Sequence, residues 1–483
     1  MGYNGEILCR ELFSGEPLLP WRLVKKRMSP ITIRRFFYKR KAEGQEEESS
    51  RSRGSFENME AEHDALHIGT RELWGAHQRF GIRRADRRHH FYAVGQTGSG
   101  KSTLLRNLIL QDIELGHGVG LIDPHGDLAS ELLDYIPPWR TDDLVYFNPA
   151  DHAYPIGFNL LSGSPKESRH LVASGVVACF KSIWKDSWGP RMEYIFYAAL
   201  AALLECENVS LLGVPRLLSD ARYRQWVVNQ VKDPIVRDFW LNEFASYDIR
   251  FLREAVAPIQ NKVGQFFMAP PLRNVLGQVK SKLDIPYIMN RGKIFIADLS
   301  KGRLGDDKAN LLGALLVTKF YLASMARADV PEENRRDFHL YIDEFHNFTT
   351  DSFAHMLSAG RKYRLCLTLC HQYLSQLTPE IREAVFGNVG SIVSFRVGNA
   401  DAMLLDQEFG GQHTARRFTE LGNHEVWAKL LTAGTYGEPF LGRTLPPEGV
   451  FHGRRELLIR RCREKYATKR TVVEDRIKRW MER

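Results

Sequence analysis

The 483-residue sequence contains no run of about 18 consecutive apolar residues, the length that a membrane-spanning helix requires. Its first residues also lack the apolar core of a secretory signal peptide. Both absences argue against an integral membrane protein and against a secreted one. We therefore expect a cytoplasmic protein whose length allows two or three domains and a large core.

Cysteine is scarce and irregularly placed. The six cysteines show no zinc-ligand spacing: Cys9, Cys179, Cys206, Cys366, Cys370 and Cys462. Cys366 and Cys370 lie within one apolar run. We therefore interpret the cysteines as buried thiols in a reducing compartment.

Charge of one sign is only mildly in excess, with a net charge of +9. This excess fits a polyanionic partner without requiring one. Residues 21–41 are interpreted as a basic amphipathic arm for a membrane surface or nucleic acid, or else as a solvated arm. Residues 44–58 are polar and we expect them to be disordered. Residues 454–483 form a basic helical tail, which either contacts nucleic acid or is solvated.

The clearest motif follows a short apolar run at residues 91–94. Residues 95–102 match the phosphate-loop pattern G-x-x-x-x-G-K-[ST], and an apolar helical pattern follows. Glycines let successive backbone N–H groups turn inward around phosphate oxygens, and the helix start adds positive potential. The motif predicts a nucleotide site that contains Gly95, Thr97, Gly98, Ser99, Gly100, Lys101, Ser102 and Thr103.

This motif predicts ATP and Mg²⁺ as cofactors. Lys101 can reach the β- and γ-phosphates, and the Ser102 hydroxyl can ligate Mg²⁺. Asp123 ends a second buried strand, where it either faces the nucleotide or only forms the turn with Pro124.

Two further strand ends carry polar residues. The apolar strand at 338–342 ends in Asp343 and Glu344, the form of a Walker B segment. We assign Asp343 to magnesium and Glu344 to the general base that polarises the attacking water. Gln372 follows the next buried strand, where it can sense the γ-phosphate or orient the water.

Between the strand candidates, residues 166–282 have helical periodicity almost throughout. Their aromatic residues suit a helical core better than base stacking. The sheet pattern resumes at residues 293–299. We therefore expect a basic arm and disordered linker at 1–64, a motor domain in two parts at 65–163 and 286–450, an all-α insertion domain at 164–285, and the basic helical tail at 451–483.

Taken together, the phosphate loop, the Asp-Pro-His-Gly-Asp turn at 123–127, the Asp-Glu strand end and Gln372 resemble the HerA/FtsK superfamily of ring-forming DNA-pumping ATPases. The helical insertion and residues 391–402 look most like the conjugative coupling proteins of type IV secretion. The resemblance implies a RecA-like α/β fold, a homo-hexamer, and non-specific DNA as partner, with secretion-channel or relaxase proteins as further partners. It also implies a γ-phosphate sensor role for Gln372 and an arginine donated to the neighbouring subunit's nucleotide. Arg361 matches that place best, with Arg364 and Arg396 as alternatives.

One departure from the family pattern is the lack of transmembrane helices at the start of the chain. The chain is therefore expected to be a soluble variant docked peripherally at the inner membrane, or a cytosolic motor. Our leading hypothesis is an ATP-driven DNA translocase. The alternatives are a secretion or assembly ATPase that acts on proteins, a cytosolic motor in DNA processing or antiphage defence, and a nucleotide-dependent switch with negligible turnover.

Overall fold

A computed structural model describes residues 65–411 and 415–482. The predicted basic arm and disordered segment lie outside these described residues. The described strands, in chain order, are β1 (Ala65–Leu73), β2 (Ala76–Arg83), β3 (Phe91–Val94), β4 (Gly118–Asp123), β5 (Leu144–Phe147), β6 (Ile294–Asp298), β7 (Phe338–Ile342), β8 (Leu365–His371), β9 (Ser391–Ser394), β10 (Glu425–Lys429), β11 (Leu431–Thr432), β12 (Thr435–Tyr436) and β13 (Phe440–Thr444).

Eleven of these strands form one sheet, in the order β2-β1-β13-β10-β9-β3-β8-β7-β4-β6-β5. From β9 to β5 in this order, each strand runs parallel to its neighbour. Every residue of these parallel strands is buried. Mostly apolar strands of this kind are typical of parallel sheets with both faces covered. The predicted α/β class with a mostly parallel central sheet is confirmed.

Four strands that the sequence pattern did not predict extend the sheet on one side as antiparallel neighbours. β10 pairs with β9 and β13, and β13 pairs with β1 of the β1–β2 hairpin. This pairing brings Thr70 beside Arg443. Gly69 and Gly442 leave room for the Phe80 ring, since a Cβ atom at these positions would lie 2.8 and 2.6 Å from Phe80 Cε1. Local periodicity does not report pairing between such distant segments.

The helices cover the sheet and continue beyond it. In chain order they are α1 (Lys101–Glu114), α2 (Asp127–Leu132), α3 (Arg169–Ile183), α4 (Pro190–Leu204), α5 (Gly213–Ser219), α6 (Ala221–Val228), α7 (Pro234–Asp238), α8 (Phe244–Ser246), α9 (Ile249–Met268), α10 (Pro270–Leu276), α11 (Ile285–Asn290), α12 (Lys301–Leu304), α13 (Asp306–Met325), α14 (Phe353–Gly360), α15 (Pro379–Asn388), α16 (Asn399–Glu408), α17 (Ala415–Thr419), α18 (Arg455–Tyr466) and α19 (Arg470–Met481). Among the described residues, none of the helices has both the length and the apolarity needed to cross a membrane.

The helices between β5 and β6 contact the rest of the chain through α3, which packs against α13, a helix that follows β6. A Cβ atom at Gly175 of α3 would lie 2.7 Å from Thr318 Cγ2 of α13, so the two helices approach closely. Cys179 Sγ lies 3.2 Å from the Thr318 hydroxyl in the same contact. Most of the aromatic residues in this part are buried, among them Phe239 and Trp240. We propose that residues 164–285 form an inserted all-α domain between the two parts of the motor, 65–163 and 286–450.

A buried charge pair joins the segment before β3 to α1, and Tyr341 of β7 contacts both partners. The Arg87 guanidinium donates to both oxygens of Asp112, at 2.6 and 2.9 Å, and to the Tyr341 hydroxyl at 2.8 Å. Burial acts against ionisation, but the Arg87 charge holds the pKa of Asp112 well below its usual range. Arg87 therefore forms part of the buried core, although it belongs to a run of basic residues before β3.

The C-terminal segment differs from a solvated tail. It forms α18 and α19, which pack against the rest of the chain through buried Leu458, Cys462 and Val473. Several of its cations are paired with carboxylates of other elements, as in the ion pairs Arg455–Asp134 (2.6 Å), Arg461–Asp142 (3.2 Å) and Arg463–Asp151 (2.7 Å). Sequence periodicity identified the helices, but the carboxylates that partner them lie some 300 residues earlier.

Candidate nucleotide-binding site

The phosphate loop connects the end of β3 to the start of α1. Gly98 and Gly100 adopt φ values of 77° and 118°, which side-chain-bearing residues rarely adopt. Gly95 is required for a different reason, because a Cβ atom there would lie 2.5 Å from Phe395 Cβ. A Cβ atom at Gly100 would lie 2.7 Å from His424 Nδ1. The loop backbone is therefore held between α1 and the segments that flank β9 and β10.

Lys101 begins α1 and folds back over the loop. Its Nζ donates to the carbonyl oxygens of Gly95, at 2.6 Å, and Gln96, at 3.0 Å. The side chain is buried, with 7% of its surface exposed. A buried ammonium group held only by neutral carbonyls can gain a stronger, charge-assisted contact from a phosphate. Lys101 Nζ therefore lies at the loop that the sequence motif predicts to bind the nucleotide phosphates.

The hydroxyl residues of the loop fall into two groups. Ser99 is buried, and its hydroxyl donates to the Gln96 carbonyl at 2.7 Å, so this side chain shapes the loop. Thr97 at the loop tip and Ser102 in the first turn of α1 are exposed, while Thr103 is half-buried. Ser102 therefore has the access to solvent that a metal-ligating hydroxyl needs.

Asp343 lies directly after β7, among other carboxylates. Its backbone N–H donates to Ile122 O at 3.1 Å, which places it beside the end of β4. Burial, together with the charges of Asp123 and Glu344, raises the pKa of Asp343 to about 7. Crowded carboxylates with raised pKa values are typical of functional sites and suit a hard cation with oxygen ligands.

Asp123 uses both carboxylate oxygens inside the β4–α2 turn. Oδ1 accepts from the His125 N–H at 2.8 Å, and Oδ2 accepts from the Ala129 N–H at 2.9 Å. The structure therefore shows the turn-forming contacts that the sequence left open as an alternative. Asp123 also contributes negative charge beside Asp343.

Asp298 is a fourth carboxylate at this edge and was not among the site residues predicted from the sequence. It pairs in register with Asp123 and accepts from the Tyr146 hydroxyl at 2.7 Å. Burial raises the pKa of Asp298, and the Asp123 charge adds to this rise. Gly126 is required here, since a Cβ atom would lie 2.2 Å from Asp298 Oδ1. The same strand-end rule that selected Asp123 could have found it.

Glu344 follows Asp343 in a left-handed conformation, with φ of 45° and ψ of 47°. This backbone conformation is uncommon for a residue with a side chain. Such strained conformations occur often at functional sites. Its Oε1 accepts from Gln372 Nε2 at 3.0 Å. The structure thus brings together the two residues that the sequence predicted as base and sensor.

Arg361, the first of the three candidate arginines, lies before the amino end of β8, at the opposite end of the parallel strands from the phosphate loop. It is exposed in the turn before β8, whereas the loop follows the carboxyl ends of the parallel strands. Among the described residues its side chain has no hydrogen-bond or ion-pair partner. Arg361 therefore lies at the opposite end of the parallel strands from its own nucleotide site, a placement compatible with donation to a neighbouring copy.

The other two arginines are engaged within the chain. Arg364 forms ion pairs with Glu332, at 3.1 Å, and Asp337, at 3.6 Å. Arg396 lies at the carboxyl end of β9, where its Nε donates to Gln96 Oε1 at 3.2 Å and its carbonyl accepts from the Gln96 N–H at 2.8 Å. Arg396 therefore adjoins the phosphate loop of its own chain.

Comparison with protein-family models and with curated protein sequences gives no match. Among solved structures, the chain is similar to the unbound bacterial conjugative coupling protein TrwB, with a TM-score of 0.55 and 16% identity over 83% of this chain and 93% of that chain. It is also similar to plasmid coupling protein TrwB in complex with ADP and Mg²⁺, with a TM-score of 0.56 and 15% identity over 83% and 94% of the two chains.

These likenesses, together with the loop and the strand-end carboxylates, define the fold as that of a RecA-like P-loop NTPase. At this level of identity they show the fold alone. The resemblance to conjugative coupling proteins, predicted from the sequence motifs, is confirmed at that level.

Proposed function

We propose that the protein is an ATPase that binds ATP with Mg²⁺ and uses its hydrolysis to move DNA. The observation that carries the ATPase proposal is the meeting of the phosphate loop, Asp343, Glu344 and Gln372 at one edge of the sheet. The structurally similar TrwB protein has been solved with ADP and Mg²⁺ and with a non-hydrolysable ATP analogue. This supports the same cofactors for the present chain.

The residues present fit a magnesium ion. Asp343 supplies a carboxylate whose pKa is raised to about 7 by burial and neighbouring acids, so a cation would relieve charge crowding there. The Ser102 hydroxyl is exposed at the start of α1. We therefore assign Ser102 and Asp343 to Mg²⁺, which when bound neutralises charge on the β- and γ-phosphates.

The remaining residues have distinct roles in this proposal. Lys101 leaves the loop carbonyls and contacts the β- and γ-phosphates, while loop N–H groups surround them. Glu344 accepts a proton from the attacking water, and Gln372 couples the Glu344 carboxylate to the γ-phosphate. Arg361 is donated to the nucleotide of a neighbouring subunit in a homo-hexameric ring.

DNA translocation is supported by the likeness to coupling proteins and by the net charge of +9. Binding to the phosphate backbone needs positive charge and little sequence specificity. Because the described cations of α18 and α19 are largely paired, the central pore of a ring is the better candidate for DNA contact. Secretion-channel or relaxase proteins are the proposed further partners.

The decisive experiment compares ATP hydrolysis with and without single- and double-stranded DNA, at low and high salt. Stimulation by DNA that weakens as salt rises is expected for a translocase, because salt competes for backbone contacts. Lys101→Ala serves as the inactive control. Hydrolysis that is indifferent to DNA would instead favour the alternative, a secretion or assembly ATPase that acts on protein partners.

A further inference from the structure

The two carboxylate oxygens of Glu344 have unequal surroundings. Oε1 accepts a hydrogen bond from Gln372. Oε2 is buried and has no hydrogen-bond partner among the described residues. It lies 3.4 Å from Nδ1 of His346, which is also buried and also lacks a partner there. Two unsatisfied polar atoms at this separation can form a hydrogen bond after a small side-chain rotation.

The proton position on His346 follows from its other contact. The side-chain oxygen Oε1 of Gln376 accepts from the Tyr373 backbone N–H at 3.2 Å, which fixes the orientation of the side-chain amide. The Gln376 NH₂ group therefore faces His346 Nε2, at 3.2 Å. An amide NH₂ group can only donate, so His346 Nε2 accepts and the ring proton resides on Nδ1.

The charge state of the ring agrees with this assignment. Burial lowers the pKa of His346 to about 4, and the nearby Lys301 and His125 act in the same direction. The imidazole is therefore neutral near pH 7 and carries a single proton. That proton is on Nδ1, the ring nitrogen that lies 3.4 Å from Glu344 Oε2.

We propose that His346 is a positioning residue for the general base, whose Nδ1–H hydrogen-bonds Glu344 Oε2 while Gln372 holds Oε1. The inference rests on the proposed ATPase function. Each carboxylate oxygen has two lone pairs, so an oxygen that accepts one hydrogen bond retains a lone pair for a proton from water. Two donors, one on each oxygen, fix the plane of the carboxylate.

Both donors depend on one short segment after β8. Gln372 begins this segment, and Gln376, which sets the His346 proton, ends it. A shift of residues 372–376 would therefore move the donors to both Glu344 oxygens together. Through this link, contact between Gln372 and the γ-phosphate would change the orientation of the base.

The test uses two substitutions of His346 in the full chain. His346→Asn retains a donor at the Nδ1 position, while His346→Gln retains an amide at the Nε2 position and loses the donor to Glu344. We expect His346→Gln to lower kcat about 10-fold with KM unchanged, and His346→Asn to stay within about 3-fold of wild type. Binding of a fluorescent ATP analogue and the melting temperature establish that each variant is folded and binds nucleotide.

Other outcomes would contradict either the proposed function or the role of His346 alone. Wild-type protein without ATPase activity overturns the proposed function and the inference together. Active wild type with an unchanged or raised kcat in His346→Gln overturns the inference alone, as does equal loss in His346→Asn and His346→Gln.

A second variant keeps the test decisive if the His346 substitutions do not fold. Gln376→Met preserves side-chain length but removes the donor that fixes the His346 proton on Nδ1. It is expected to lower kcat about 3-fold with unchanged nucleotide affinity. Wild-type kcat in a folded Gln376→Met protein would overturn the proposed link.

Discussion

The Gln372 side-chain amide donates to Oε1 of Glu344 over 3.0 Å. The two residues follow adjacent parallel strands, in which Ile342 pairs with Leu369. Because the carboxyl ends of neighbouring parallel strands meet at one edge, residues 28 positions apart become hydrogen-bond partners. The register of β7 and β8 therefore sets the geometry of the candidate base.

Replacing Lys101 with alanine should remove ATP hydrolysis. The ammonium group is the buried cation at the phosphate loop, and its loss removes both phosphate attraction and charge stabilisation during transfer. We expect at least about a 100-fold fall in kcat/KM, with weaker ATP binding. Steady-state hydrolysis and binding of a fluorescent ATP analogue measure the two effects.

The matched control for Lys101→Ala is Lys185→Ala, which removes an exposed lysine from the helical part. It should hydrolyse ATP at the wild-type rate. If Lys101→Ala kept near-normal turnover, the phosphate-loop assignment itself would be wrong.

Glu344→Gln should separate nucleotide binding from hydrolysis. The substitution preserves shape and an oxygen that can accept from Gln372, but it removes the basic carboxylate. General-base loss costs roughly 10²–10⁴-fold in rate. We expect kcat to fall within that range while ATP affinity stays within a few-fold of wild type, as measured by single-turnover hydrolysis and equilibrium binding. Loss of binding in parallel with hydrolysis would argue that Glu344 holds the nucleotide and does not act as the base.

The arginine assignments can be tested by mixing variants. Lys101→Ala and Arg361→Ala proteins should each be inactive in a ring. When they are mixed, about a quarter of random interfaces combine an intact phosphate loop with an intact Arg361. Partial recovery of ATPase activity on mixing is therefore expected for an arginine that acts on the neighbour's nucleotide.

Arg396→Ala is the comparison for this experiment. Arg396 adjoins the phosphate loop of its own chain, so a defect caused by its loss should not recover on mixing with Lys101→Ala. Recovery with Arg396→Ala and none with Arg361→Ala would reverse the two assignments.

Asp112→Asn should destabilise the fold in a pH-dependent way. It leaves the buried Arg87 guanidinium without its counter-charge, which typically costs about 3–5 kcal/mol near neutral pH. The pKa of Asp112 is depressed in the folded protein, so its stabilisation is present above the unfolded pKa of about 4 and is lost as pH falls below it.

The difference in unfolding free energy between wild type and Asp112→Asn should therefore be large at pH 7 and shrink toward acid pH. Urea unfolding at several pH values measures it. A constant difference across this range would mean that the pair contributes through packing and not through charge.

The nucleotide-binding loop and the acidic strand end could be predicted from the sequence because their signals are local. A glycine loop between an apolar strand and a helix, and two carboxylates after another apolar strand, are contained within a few residues each. Lys101, Asp343 and Glu344 were selected on these grounds. The parallel core of the sheet followed from the same buried strands.

Other features depended on contacts between distant segments. The antiparallel extension pairs β1 with β13, and Asp123 pairs in register with Asp298. Arg396, just after β9, donates to Gln96 from 300 positions later in the chain. No residue-level periodicity carries such pairings, because they arise from sheet register and loop closure.

His346 shows most clearly the difference between what local sequence predicts and what depends on the tertiary structure. In the sequence it is one histidine after an Asp-Glu pair, with nothing to separate it from a surface residue. In the fold, Gln376 assigns its proton and Glu344 lies 3.4 Å away. The sequence by itself determined the class of chemistry, since that depends on residue type and local spacing. Which side chains surround the base was decided only by the tertiary structure, because hydrogen bonds require positions in space that one-dimensional spacing does not specify.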